Sequence, residues 1–182
     1  MGHLTYRRIV STSDAAWTRA YGLYRSAFPP FEQRSERDYA TALGDERFRA
    51  DTVWDGGRFV GLRFWWTTDE GNAYLEHLAV DGPLRGGRYG ARMLHDLCAR
   101  TGRVLLEIDP PEDAISRRRR AFYERNGFVY NDCDYEHPSY FEIPRPHRLM
   151  VMSYPTAIAP GELAALRAFT YRVATRHRAQ VP

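Results

Sequence analysis

The chain has 182 residues, 43% of them hydrophobic, which is the size and composition of one globular domain. Its net charge of +3 is modest, and no apolar stretch approaches the roughly 20 residues that a membrane helix needs. Two cysteines, Cys98 and Cys133, are too few for a disulfide framework, and no Cys/His cluster has metal-ligand spacing, so no metal is expected.

The opening Met1-Gly2-His3-Leu4-Thr5-Tyr6 has Tyr6 where a myristoylation signal requires Ser or Thr, and no charged-then-apolar leader follows. A cytoplasmic protein without a membrane partner is the expectation. A short strand is predicted over 6–10. Ser13 reads as the N-cap of a helix on which Trp17, Tyr21, Tyr24 and Phe28 recur at helical spacing until Pro29-Pro30 stops it. A second helix is predicted over 35–43, closed by Gly44.

Strands over 48–54 and 58–67 flank Asp55-Gly56-Gly57, a strong hairpin signal, and a third strand covers 73–80 after the Asp69-Glu70-Gly71 turn. From there the pattern alternates. A helix over 90–100 places Ala91, Leu94, Leu97 and Cys98 on one face, and Gly102 ends it. Residues 104–108 form an apolar strand, 115–126 a helix stopped by Gly127, and 128–130 the start of a strand. A polar, proline-rich loop is expected over 131–147, then a strand over 149–154 and a helix from Gly161. The order implies a mixed α/β (α+β) domain with a central, mostly antiparallel sheet and helices on its faces.

The sharpest signal lies between Leu75 and Leu94. A strand runs through Asp81-Gly82-Pro83 into Arg85-Gly86-Gly87-Arg88-Tyr89-Gly90-Ala91 and then into an amphipathic helix. Glycines between a strand and a helix N-terminus let backbone N–H groups converge on an anion, and the helix dipole adds about half a positive charge there. The Gly-Lys-Ser/Thr of a Walker loop is absent, and a Rossmann fingerprint fails on spacing and on the preceding hairpins. A CoA-binding loop fits the order of elements best; an ordinary glycine-rich connection is the plain alternative.

Tyr74-Leu75-Glu76-His77-Leu78-Ala79-Val80, followed by Arg85 to Gly90, resembles motif A of the GNAT N-acetyltransferase superfamily. Ala121-Phe122-Tyr123-Glu124-Arg125-Asn126-Gly127-Phe128 resembles its motif B. The likeness covers residues 48–130 and implies one GNAT-like domain over 1–182. Motif A would span about 74–100, motif B about 113–130, and a C-terminal strand and helix 149–176. It implies acetyl-CoA as cosubstrate, with the backbone of Leu78, Ala79 and Val80 pairing with the pantetheine arm. Arg85, Gly86, Gly87, Arg88, Tyr89, Gly90 and Ala91 would hold the pyrophosphate. Arg88 stands where the pattern Arg/Gln-x-x-Gly-x-Gly/Ala has its internal glycine. Either its Cβ demands an unfavourable positive φ, or its side chain pairs with a phosphate.

A lysine-like amine is uncharged only about one part in two thousand near neutral pH, so a general base helps attack on the thioester. The resemblance makes Glu76 that base, with His77, on the opposite strand face by alternation, as the competitor. Tyr123 takes the place of the acid that protonates the departing thiolate. Candidate acceptor walls are Phe28, Phe31, Glu32, Trp65, Trp66 and Tyr135 to Tyr140; the acids Asp132, Asp134 and Glu136 either attract a cationic amine or form a solvated loop. The resemblance implies a small-molecule or peptide amine as acceptor, and a homodimer is compatible with the chain. A non-catalytic acyl-CoA sensor on the same fold is the alternative. Binding of nucleic acid through Arg117 to Arg120 has no recognition motif to support it.

Overall fold

A computed structural model of the chain describes residues 2–140 and 147–176. It contains seven strands and five α-helices among these residues, a mixed α/β architecture with mostly antiparallel pairing. The chain divides into two compact units: 2–66 with 75–96, and 67–74 with the described residues from 97 onward.

The first unit contains β1 (Leu4–Ile9), α1 (Trp17–Ala27), α2 (Glu36–Ala42), β2 (Phe48–Asp55), β3 (Arg58–Thr67) and most of β4 (Ala73–Val80). The first turns of α3 (Tyr89–Thr101) also belong to it. Its strand order is β1-β2-β3-β4. Gly56 and Gly57, at φ +54° and +85°, make the two-residue hairpin turn that their sequence demands, with Asp55 opposite Arg58. The aromatic stripe of α1 packs on one sheet face. Trp17 and Tyr24 are buried, and with Tyr39, Phe48, Phe64 and Trp66 they build a ring cluster with centroids 4.5–6.4 Å apart. The helix is entered through Ala16 with no side-chain cap; Ser13 instead bonds Ser11, so the predicted cap is corrected.

On the opposite face Arg63 and Asp51 form a buried ion pair at 2.9 Å, with Arg63 also donating to Met93 O at 3.0 Å. Trp65 Nε1 donates to the same carboxylate at 3.2 Å. Leu4, Val53, Val60, Leu84 and Met93 surround this side, and Leu78 and Val80 pack on them.

The second unit holds β5 (Val104–Ile108), α4 (Ala114–Arg125), β6 (Val129–His137), β7 (His147–Tyr154) and α5 (Pro160–Arg176), with strand order β5-β7-β6. Asp113 caps α4 in a reciprocal box with Ser116. The expected loop from 131 is in fact strand as far as His137. Asn131, Tyr135 and His137 are buried while Asp132, Asp134 and Glu136 are exposed. The acids are therefore the wet side of an outer strand, a period-2 pattern in which charge masks the alternation. Residues 141–146 of that expected loop lie outside the described residues. Inside, Glu107 accepts from Tyr74 Oη at 3.0 Å and from Tyr135, whose hydroxyl also meets Thr170 Oγ1 at 2.9 Å. Tyr135 is thus core rather than an acceptor wall.

Three arginines of the α4 run are engaged with their own unit. Arg119 pairs with Asp109, Arg120 with Glu124 and the face of Tyr130, and Arg117 with Glu112 O. Cys98 is buried, and burial pushes the Cys133 thiol up, with Asp132 and Asp134 adding to the effect. Among the described residues no helix is long and apolar enough to cross a membrane.

Among the glycines of the first unit, Gly61 is the most crowded. A Cβ built there would lie 2.1 Å from Ala79 O, a backbone atom of the neighbouring strand. Gly61→Ala is therefore expected to cost at least about 2 kcal/mol of unfolding free energy in urea, as overpacking does where backbone must move. A loss under about 0.5 kcal/mol would show that the strands need not approach so closely.

Candidate active site

β4 ends at Val80, and the chain turns through a 3-10 segment, Gly82–Leu84, into α3. Three backbone bonds shape the turn: Leu84 N–H to Asp81 O (2.8 Å), Arg85 N–H to Gly82 O (3.2 Å) and Gly87 N–H to Leu84 O (3.2 Å). Asp81 N–H reaches Val60 O at 2.9 Å and ties the turn to β3. The first helical bond across the boundary is Arg92 N–H to Arg88 O at 3.1 Å. The N–H groups of Gly86, Arg88, Tyr89, Gly90 and Ala91 find no acceptor among the described residues. They lie on an accessible segment, with Gly86 and Arg88 exposed.

Gly86 adopts φ +85°, as a glycine can without strain, whereas Arg88 adopts φ +59° and is the one such non-glycine among the described residues. The positive φ raised for Arg88 by the sequence is therefore present: its backbone takes the shape for which the motif keeps a glycine. Its side chain is exposed, as is that of Arg85, whose Nε lies 3.4 Å from Val80 O. Tyr89 turns its hydroxyl to Asp55 Oδ2 at 3.0 Å, and Arg92 lies 3.6 Å from the same atom, so the first turn of α3 is moored to the β2–β3 hairpin. Open amides, a helix dipole and two exposed guanidinium groups fit a diphosphate.

Glu76 is embedded. Its side chain is 2% exposed, Arg34 Nη2 lies 3.1 Å from Oε1, and Trp66 Nε1 donates to Oε2 at 3.0 Å. Arg34 itself is 1% exposed and faces the rings of Tyr39 and Trp66. To take a proton, Glu76 would give up its half of a buried ion pair with that guanidinium, a change that buried pairs resist. His77 does not sit apart on the other face as simple alternation predicts. Its Nδ1 is 3.8 Å from Glu76 Oε2, and its ring is wedged edge-on between Tyr24 and Phe28 at 4.8 and 4.5 Å. Both base candidates therefore belong to one buried cluster. Trp65 and Trp66 are likewise both buried and hydrogen-bonded, so neither is an open acceptor wall.

In the second unit Tyr123, on α4, packs against Phe122 and Phe128 at 5.1 and 5.6 Å. Burial pushes its phenol up to about 12, against the pull of Arg119 one turn earlier.

The family model described as "Acetyltransferase (GNAT) family" matches residues 17–128. The chain belongs to the GNAT acetyltransferase family. A search of curated proteins finds no match. Among solved structures, a protein from Bacteroides thetaiotaomicron assigned to the GNAT family is 26% identical, with a TM-score of 0.84 over 97% of this chain and 99% of that one. Arabidopsis thaliana Naa50, bound to the bisubstrate analogue CoA-Ac-MVNAL, is 19% identical with a TM-score of 0.58 over 85% of this chain and 99% of its own. A chimera of the spermidine N-acetyltransferase SpeG from Vibrio cholerae and hSSAT is 15% identical with a TM-score of 0.62 over 84% of this chain and 95% of its own. The last two share the fold with this chain.

Sequence reasoning about this GNAT chain missed Arg34. Nothing in Pro30-Phe31-Glu32-Gln33-Arg34-Ser35 distinguishes a buried arginine from a surface one, because the partner lies 42 residues away. Arg88 yields a direct test. A left-handed residue costs about 1–2 kcal/mol, and a glycine gives back about 0.5–1 through its freer unfolded chain. Arg88→Gly should raise unfolding free energy by about 0.5–1 kcal/mol in denaturant titration; a loss of stability would contradict the strain.

Proposed function

We propose that this acetyltransferase takes acetyl-CoA as its cosubstrate and passes the acetyl group to a small-molecule or peptide amine, in the cytoplasm, as one domain over 1–182 and without a metal. The observation that carries the reading is the set of open amides at Gly86, Arg88, Tyr89, Gly90 and Ala91 at the head of α3. These hold the diphosphate, with Arg85 and Arg88 adding charge and Gly87 keeping the turn tight. The backbone of Leu78, Ala79 and Val80 runs beside the pantetheine arm as an added strand would. Glu76 to Val80 spans about 13 Å, a suitable reach from phosphates to thioester.

Acetyl-CoA supplies an acyl group activated as a thioester. The amine nitrogen forms a bond to the acyl carbon, the carbon–sulfur bond breaks, and the electron pair leaves on sulfur. Tyr123 is the proposed donor to that sulfur. A phenol near pKa 12 is a weaker acid than a thiol near 8.5, by about 5 kcal/mol for complete transfer. It therefore acts by hydrogen bonding to the developing thiolate, and solvent completes the protonation. A role for Glu76 as base requires the Arg34 pair to open at each turnover.

The test is release of free thiol from acetyl-CoA against a panel of amines. Tyr123→Phe should lower kcat at least tenfold while the acetyl-CoA Kd stays within twofold. Because the phenol is held up at about 12, it stays protonated from pH 6 to 10, and Tyr123 should add no falling limb to the kcat profile there. Unchanged turnover in Tyr123→Phe, or a wild-type limb below pH 10 that this variant abolishes, would remove it from the chemistry.

A further inference from the structure

The segment between α1 and α2 is anchored with unusual care. Phe28 ends α1 in extended conformation, Pro30–Glu32 form a 3-10 turn, and Ser35 caps α2 by accepting from Asp38 N–H at 3.1 Å. Between turn and cap, two buried side chains reach inward in opposite directions. Gln33 donates from its amide to Arg25 O at 3.0 Å and Phe28 O at 2.5 Å, tying the turn back to the end of α1. Arg34 donates its backbone N–H to Tyr24 Oη at 2.7 Å and its guanidinium to Glu76 on β4. The product is a fixed turn whose tip, Phe31, is 50% exposed while Gln33 and Arg34 are 4% and 1% exposed.

Resting on the acetyltransferase reading above, we propose that Arg34 and Glu76 are a positioning pair. They clasp the 29–32 turn to the strand that carries the thioester and so set where the acceptor amine meets that strand; neither group carries the amine's proton. Three observations support this over a catalytic Glu76. Both carboxylate oxygens already accept, one from Arg34 and one from Trp66. The carboxylate is 2% exposed, and its partner is 1% exposed. The other imidazole-bearing candidate, His77, is packed into the same cluster by Tyr24, Phe28 and Tyr39. The amine then loses its proton to water, and the acceptor's own pKa governs the pH dependence.

A double-mutant cycle separates the two roles, because breaking one half of a buried ion pair disturbs the other half, whereas replacing both removes that mismatch. Wild type, Arg34→Met, Glu76→Gln and the double variant would be compared for kcat and amine KM at saturating acetyl-CoA, and for acetyl-CoA Kd by calorimetry. Each single variant should lose at least tenfold in kcat/KM for the amine with acetyl-CoA Kd within threefold. The double variant should recover to within about fivefold of wild type and keep the wild-type pH profile. A double variant as inactive as Glu76→Gln, with Arg34→Met near wild type and acetyl-CoA still bound, would overturn the proposal and make Glu76 the proton acceptor. If Arg34→Met does not fold, Arg34→Lys keeps the charge without the fork. It should raise amine KM with little change in kcat, and a fall in kcat alone would count against the clasp. Wild-type protein that transfers no acetyl group to any amine would sink the transferase reading itself, an outcome distinct from failure of the pair.

Discussion

Backbone amides without an internal acceptor are a cost that a folded chain accepts only where something outside will supply the missing bonds. The head of α3 gathers five of them on consecutive or nearly consecutive residues, Gly86 and Arg88 to Ala91. The turn before them is built to keep them so. Leu84, Arg85 and Gly87 use their own N–H groups within the 3-10 segment, Asp81 is tied to β3, and Tyr89 and Arg92 hold the helix to Asp55. Even the strain at Arg88 serves the shape, since a left-handed residue there redirects the chain into the helix.

The sheet around this turn explains why its placement is firm. β3 and β4 approach so closely at Gly61 that no side chain fits, and an aromatic cluster on one face and a buried ion pair on the other leave little room for β4 to move. The strand and the turn are both firmly held, and charge is distributed between them: exposed at Arg85 and Arg88, paired at Arg34 and Glu76. A buried ion pair contributes little net stability, so its presence beside β4 calls for another explanation, and fixing the 29–32 turn is one.

Much of this was legible in the residues alone. Gly56-Gly57 specifies its turn, the stripe Trp17, Tyr21 and Tyr24 specifies a helix packed on a sheet, and the glycines after Val80 mark the turn into α3, because each signal is local. The misreadings share a cause. Asn131 to His137 alternates properly, but its outward positions are acids, and charge hid the strand. Ser13 has the chemistry of a cap but bonds Ser11 instead. Arg34 and the crowding at Gly61 depend on contacts distant in sequence, which no window of residues contains. The convergence of Glu76 and His77 breaks the period on which strand reasoning relies.

The most direct measurement is a titration of the 15N-labelled chain with acetyl-CoA, followed through amide resonances. The N–H signals of Gly86, Arg88, Tyr89, Gly90 and Ala91 should move farthest, and downfield, as acceptors reach them, while Leu84, Arg85 and Gly87, already bonded within the turn, should move less. Amides at the head of α3 that stay in place while acetyl-CoA perturbs another surface, or none, would contradict the account.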